Sequence, residues 1–282
     1  MSARDGEDVK ALLEKPRGAV TVREDGCLLV GVHLPLPGSA QPRLLLRLRP
    51  KKGEPEETGR DLALEPAGQD QWQAVLEAAP ALEEGRWDAY VVGAPGGDRV
   101  PLLPGPRDVR SLVSGGDDVP LMPLAVRIPY ATRDGRLAVR AWRRAAHAEA
   151  GRIVVAGDSM TVTARLFGAR LGEGAVVSLK RRGQRSAATE TALRAEGGRD
   201  FSFTVGYQDL LAAAGEAAVV WDVYVRPATV ASRIRVARLL DDIADRKQVF
   251  VYPSTPLGTV SARPYYTMDN DLSVEFAPRR PR

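Results

Sequence analysis

The stretch GRWDAYVV, residues 85–92, returns as VVWDVYVR at 219–226. Trp87, Asp88 and Tyr90 fall on Trp221, Asp222 and Tyr224 at an offset of 134 residues. Working outward, RIPYATRDGRLAVRAW (127–142) matches ARPYYTMDNDLSVEFA (262–277) at an offset of 135, and CLLVGVHL (27–34) matches SMTVTARL (159–166) at 132. Three blocks in one order at nearly constant spacing identify an internal duplication, and a repeat sets the architecture before any other signal does.

Each copy reads as short strands separated by turn signals. AVTVRE (19–24) and CLLVGVHL flank Asp25-Gly26, a dipeptide suited to tight hairpins because it tolerates positive φ, and Gly157-Asp158 holds the same place in the second copy. RLLLRLRPKKG (43–53) answers AVVSLKRRG (175–183), in both cases an apolar strand running into a basic turn. WQAVLE (72–77) answers FSFTV (201–205). About seven strands per copy predict an all-β chain of two tandem immunoglobulin-like β-sandwiches. The predicted boundaries are an N-terminal segment over 1–16, a first repeat over 17–146 and a second over 147–282. Helix is confined to VKALLEK (9–15) and YQDLLAAAG (207–215), with no βα alternation that would build a nucleotide crevice.

The composition is that of a folded protein, 44% hydrophobic and 27% charged. No apolar run reaches the length of a membrane span, and the polar N-terminus is neither a signal nor a transit peptide, so the expected location is cytoplasmic. The single cysteine, Cys27, excludes an internal disulfide and a cysteine-based zinc site. The net charge is only +4, carried by 34 Arg and 6 Lys interspersed with acids, which does not favour a nucleic-acid partner.

Candidate chemistry is sparse. His33 and His147 have no counterparts in the other copy and no ligand-like spacing, and no nucleophile elbow or phosphate loop is present. The reading is therefore no catalytic residue, no metal and no cofactor, with enzyme activity left open. Alternation along a strand puts Trp87, Ala89 and Val91 on one face and Asp88 and Tyr90 on the other. Tryptophan then anchors each core, while Tyr90 and Tyr224 face outward as candidate stacking platforms for a sugar. The duplicated basic turns supply the remaining candidates: Arg47, Arg49, Lys51 and Lys52 in the first copy, and Lys180, Arg181 and Arg182 in the second. Arg forks suit phosphate oxygens, and two linked turns would hold a long polyanion better than either alone.

The strand G-x-W-D-V-Y-V followed by P-Y-x-T-x-x-x-x-L-S-V resembles the accessory tandem β-sandwich modules of bacterial polymer glycosyltransferases of the teichoic-acid type. The resemblance runs from Gly18 to Ala277. It implies an immunoglobulin-like module engaged in polymer binding or oligomerisation rather than chemistry. The glycosyltransferase domain of that family has no counterpart in these residues, so the resemblance carries over no catalytic residue and implies a free-standing relative or a separate catalytic partner. The expected function is a non-catalytic binding or assembly module for an anionic cell-envelope glycopolymer or its glycosyltransferase machinery. A protein–protein adaptor docking a biosynthetic enzyme, and an unrecognised enzyme with its site between the repeats, remain open alternatives.

Overall fold

The computed structural model describes residues 15–37, 39–56, 58–94, 96–114, 122–184, 188–214 and 218–279. The protein is all-β, and among the described residues two short helices occur, at Ser111–Ser114 and Tyr207–Ala214. The expected helix over 9–15 lies outside the described residues except for Lys15. Two compact units divide the chain, the first holding Met1–Val119 and Ala125–Arg143, the second Pro120–Leu124 and Arg144–Arg282.

The first unit is built from β1 (Arg17–Val22), β2 (Leu28–His33), β3 (Arg43–Leu48), β4 (Gly59–Ala63), β5 (Glu65–Gly68), β6 (Gln71–Leu76), β7 (Gly85–Val92), β8 (Val100–Pro101), β9 (Leu103–Asp108), β10 (Leu124–Ala131) and β11 (Leu137–Arg144). They form two sheets, β5-β6-β2-β1-β9 and β10-β11-β7-β3-β4, with β8 paired to β7. Both sheets contribute to one core: Val20, Leu28 and Trp72 from the first, Leu44, Trp87 and Val139 from the second.

The second unit contains β12 (His147–Ala156), β13 (Ser159–Phe167), β14 (Val176–Arg181), β15 (Ala188–Gly197), β16 (Asp200–Gly206), β17 (Val219–Arg226), β18 (Ile234–Ala237), β19 (Thr255–Leu257), β20 (Val260–Tyr266) and β21 (Leu272–Pro278). Here the strands do not separate into the two sheets of the expected sandwich. The order β14-β15-β16-β13-β12-β18-β17 closes on itself through β14–β17 pairing, a ring of seven strands, and β21, β20 and β19 extend from β17.

Backbone continuity explains the difference. β15 pairs with β14 over Ala188–Ala192 and with β16 from Leu193 onward, so one strand serves both sides of the core. β18 does the same, antiparallel to β17 through Ile234 and Arg235, then parallel to β12 through Val236 and Ala237. The first unit crosses at the corresponding places but is interrupted, between β4 and β5 at Leu64 and between β8 and β9 at Leu102. Pro66, Pro101 and Pro104 sit in those strands and offer no N–H to a ladder. Isolated bonds rather than ladders mark the crossings: Leu64 N–H to the Pro42 carbonyl at 3.0 Å, and Leu102, whose N–H donates to the Ala89 carbonyl at 2.9 Å and whose carbonyl accepts the Leu137 N–H at 2.7 Å.

The duplicated motifs resolve into physical roles. Period-two alternation buries Trp87, Ala89 and Val91 in one unit and Trp221, Val223 and Val225 in the other. The Trp87 indole N–H donates to the Glu83 carbonyl at 2.9 Å. The threonine of each PYxT block shapes the following turn: the Thr132 hydroxyl accepts the Arg136 N–H at 3.0 Å, and that of Thr267 accepts the Asp271 N–H at 3.2 Å. The left-handed residue these turns require is Gly135 in the first copy, at φ 74°, and Asn270 in the second, at φ 58°. Helix Tyr207–Ala214 seals one end of the second core, with Tyr207 edge-on to Phe276.

Trp87 and Trp221 are each buried in a packed core, so replacing either ring by alanine leaves a cavity. Trp87→Ala and Trp221→Ala should each cost about 3–5 kcal/mol, read as a lowered urea midpoint for unfolding of the unit that carries the change.

Candidate functional site

The outward side of the WDxY strand carries the polar residues of the repeat, and both copies use them first to hold strands together. In the first unit the Arg49 guanidinium grips Asp88 with two hydrogen bonds, at 2.8 and 3.1 Å. In the second, Arg182 grips Asp222 the same way, at 2.5 and 3.3 Å. The tyrosine rings two residues further on are each covered by a guanidinium, Tyr90 by Arg99 at 5.0 Å and Tyr224 by Arg235 at 4.9 Å. The remaining basic-turn candidates are dispersed. Arg47 pairs with Asp61 at 2.6 Å, while Lys51 and Lys52 are exposed and make no ion pair among the described residues. Lys180 stands opposite Asp222 in the β14–β17 ladder, and Arg181 opposite Trp221.

The second unit builds further on this frame. Its outer sheet face bears an open groove of about 590 Å³ lined by Arg144, Arg182, Asp222, Tyr224, Arg235, Lys247, Tyr265, Thr267, Met268, Asp269 and Asp271. Arg182 and Tyr224 are thus brought together, joined by residues the sequence reading did not single out. Arg235 is the hub. Its Nη2 lies 2.9 Å from both Asp222 Oδ1 and Ser273 Oγ, and its Nε lies 3.3 Å from Asp271 Oδ2. Ser273 donates its hydroxyl to Asp222 at 2.9 Å, and Arg144 reaches the other oxygen of Asp271 at 3.5 Å. The Tyr265 hydroxyl stands 3.3 Å from Arg182 Nη1.

Lys247 comes from the loop between β18 and β19. Its neighbour Arg246 is fully buried, ion-paired with Asp241, bonded through Nε to the Arg238 carbonyl at 2.8 Å and set against the rings of Phe250 and Tyr266. That anchor holds Lys247 exposed at the groove, its ammonium 5.7 Å from the centre of the Tyr265 ring. No carboxylate among the described residues pairs with it.

Elsewhere the chemistry is muted. Cys27 is buried, its thiol donates to Glu77 at 3.2 Å, and that carboxylate together with burial holds the thiol above its ordinary value, against the reactive thiolate. His33 meets Gln71 at 3.1 Å. His147 lies in β12: it is buried, 2.6 Å from Glu149, whose oxygens also accept the N–H groups of Leu239 and Leu240. Among the described residues no three His, Cys, Asp or Glu side chains gather to hold a metal. No described helix is long and apolar enough to cross a membrane. A wider depression of about 720 Å³ in the first unit is lined by Asp25, Asp108 and Arg110 among others. Its Arg110 pairs with Asp108 two residues away, which lowers the Asp108 carboxyl to about 2, and that local pair ties no strands together.

These features define a class, an all-β protein of two compact units with a polar groove on the second. No family model matches the chain, and no curated protein matches it. Among solved structures the chain is similar to S. aureus TarS 217–571, with 13% identity over 70% of this chain and 58% of that one, at a TM-score of 0.32. A second structure of S. aureus TarS is 12% identical over 70% of this chain and 36% of that one, at 0.30. The chain spans less than two thirds of either, and likenesses this slight add nothing to the groove's own geometry.

The two carboxylates of the network titrate in opposite directions. Burial opposes the charged form of Asp222, but the Arg182 hydrogen bonds, the Arg235 charge and the Ser273 hydroxyl outweigh it and hold the group below its ordinary 3.8. Burial dominates at Asp271 and raises its carboxyl, only partly offset by Arg235 and Arg144. Ionised Asp222 therefore adds stability above 3.8 that is lost as pH falls through its lowered pKa. Asp271 does the reverse: its ionisation in the fold costs stability as pH rises from 3.8 through its raised pKa. The stability difference between wild type and Asp271→Asn should move in favour of wild type on acidification from pH ~7 toward 3.8, and that between wild type and Asp222→Asn should shrink below 3.8. At pH ~7, Asp222→Asn should cost about 2–3 kcal/mol, because Arg235 is left partly unpaired with only 9% of its side chain exposed. The equivalent Asp88→Asn frees only the exposed Arg49 and should cost under about 1 kcal/mol, both read from urea titrations.

Proposed function

We propose that this chain is a non-catalytic binding module for an anionic glycopolymer, and that a segment of the polymer lies in the groove of the second unit. The two units are then variants of one immunoglobulin-like strand plan, the second closed into a ring. The observation that carries the reading is the charge pattern of the groove. Four cations face three carboxylates, and the one excess positive charge is at Lys247. Paired guanidinium and carboxylate groups set donors beside acceptors, which is what neighbouring sugar hydroxyls require. One unpaired cation suits a chain that is rich in hydroxyls and sparsely charged, through phosphodiester or carboxylate groups. A densely charged polyanion such as nucleic acid would call for several unpaired cations along its path. Lys51 and Lys52 in the first unit add exposed charge that attracts the polymer without positioning it.

A protein partner is the second reading, favoured by Val249 and Val251, 61% and 72% exposed in the loop that carries Lys247. Isothermal titration with a sugar-phosphate polymer, and with inorganic polyphosphate for contrast, separates the cases. The sugar-phosphate polymer should bind more tightly, weakening roughly threefold per ionic contact between ~50 and ~200 mM salt. Lys247→Gln and Tyr265→Ala should each weaken it. Unchanged binding in both variants, or tighter binding of polyphosphate, turns the assignment toward the protein partner.

A further inference from the structure

The two units provide an internal control on the groove network. Strand register equates Arg235, opposite Tyr224, with Pro101, opposite Tyr90. It equates Ser273, opposite Asp222, with Ala138, opposite Asp88. The matching turns equate Asp271 with Arg136, each closing its turn by accepting a threonine N–H at 2.8 Å. The first unit thus forms the same strands with a proline, an alanine and a 46% exposed arginine where the second places a largely buried ionic network. Burying charge is costly, and a buried ion pair is weak evidence of stabilisation. The strand plan does not need this network.

We infer that polymer recognition is confined to the second unit, one site per chain, and that Arg235 is the positioning residue that distinguishes it from the first. Its guanidinium fixes Asp222, Asp271 and the Tyr224 ring at once, so the lining of the groove is set before any ligand arrives. Pro101 offers neither charge nor donor, and the retained Arg49–Asp88 pair is left as a strand clamp. The inference rests on the reading of the chain as a glycopolymer-binding module, and it replaces two linked weak sites by one organised site.

The test pairs a neutralising double variant, Arg235→Met with Asp271→Asn, with the first-unit variant Asp88→Asn. Titration uses a short sugar-phosphate oligomer, so that one molecule cannot span two sites, and urea unfolding is followed for each protein. The wild type should bind one oligomer per chain. The double variant removes one charge of each sign, so it should keep its urea midpoint while binding falls about tenfold or more, because the groove lining that Arg235 fixes is no longer set before the ligand arrives. Asp88→Asn should leave affinity unchanged. Two oligomers per chain, an equal loss in Asp88→Asn, or unfolding of the double variant would each overturn the inference while leaving polymer binding itself intact. Absence of binding by the wild type overturns the functional reading beneath it.

Discussion

Burial of one tryptophan per unit is the constraint from which the other features follow. Trp87 and Trp221 are 0% and 1% exposed, at the centres of β7 and β17. A strand alternates its side chains strictly, so committing tryptophan to the core commits the next residue, aspartate, to the outer face. There Asp88 and Asp222 meet the arginine that directly follows the neighbouring strand, Arg49 or Arg182. The tyrosine two residues on lands under a second guanidinium. WDxY is thus one anchor, one clamp and one ring covered by a guanidinium, and the hydrophobic term holds the polar ones in place.

The same plan closes differently in the two units because the crossing strands differ in proline content. A strand that serves both sides of a core must keep its N–H ladder through the crossing. β15 and β18 do so and carry no proline. In the first unit Pro66, Pro101 and Pro104 remove donors at the equivalent places, and the sheets part. A ring without free edges resists slippage and edge pairing, which suits the unit that bears the groove.

That groove shows how a motif kept for folding becomes a base for something else. Arg182 and Asp222 are present for the strand clamp, and Arg235, Ser273 and Asp271 are added around them. The additions bury charge without any strand depending on them. Their combined effect is a rigid set of donors and acceptors with one spare cation at Lys247, itself held by the buried Arg246 beneath it.

The duplication, the all-β class and the inward tryptophans were legible from residue order, because period-two patterning and turn chemistry act within a few residues along the chain. The core faces of β7 and β17 and the hairpins at Gly26 and Gly157 belong to that category. Ring closure was not legible, since it depends on which strands meet across the core and on whether single prolines interrupt a crossing. The basic turns were visible, but not that Arg49 and Arg182 are bound to aspartates 39 and 40 residues away. A sequence signal for Ser273 and Asp271 did exist, in the positions where two otherwise matching blocks disagree, whereas Arg235 lies outside those blocks and is set against Pro101 only by strand register. Residue order determined the repeat and the face each side chain takes. Tertiary structure alone decided which charges meet, because ion pairing is set by distances between strands and not by spacing along them.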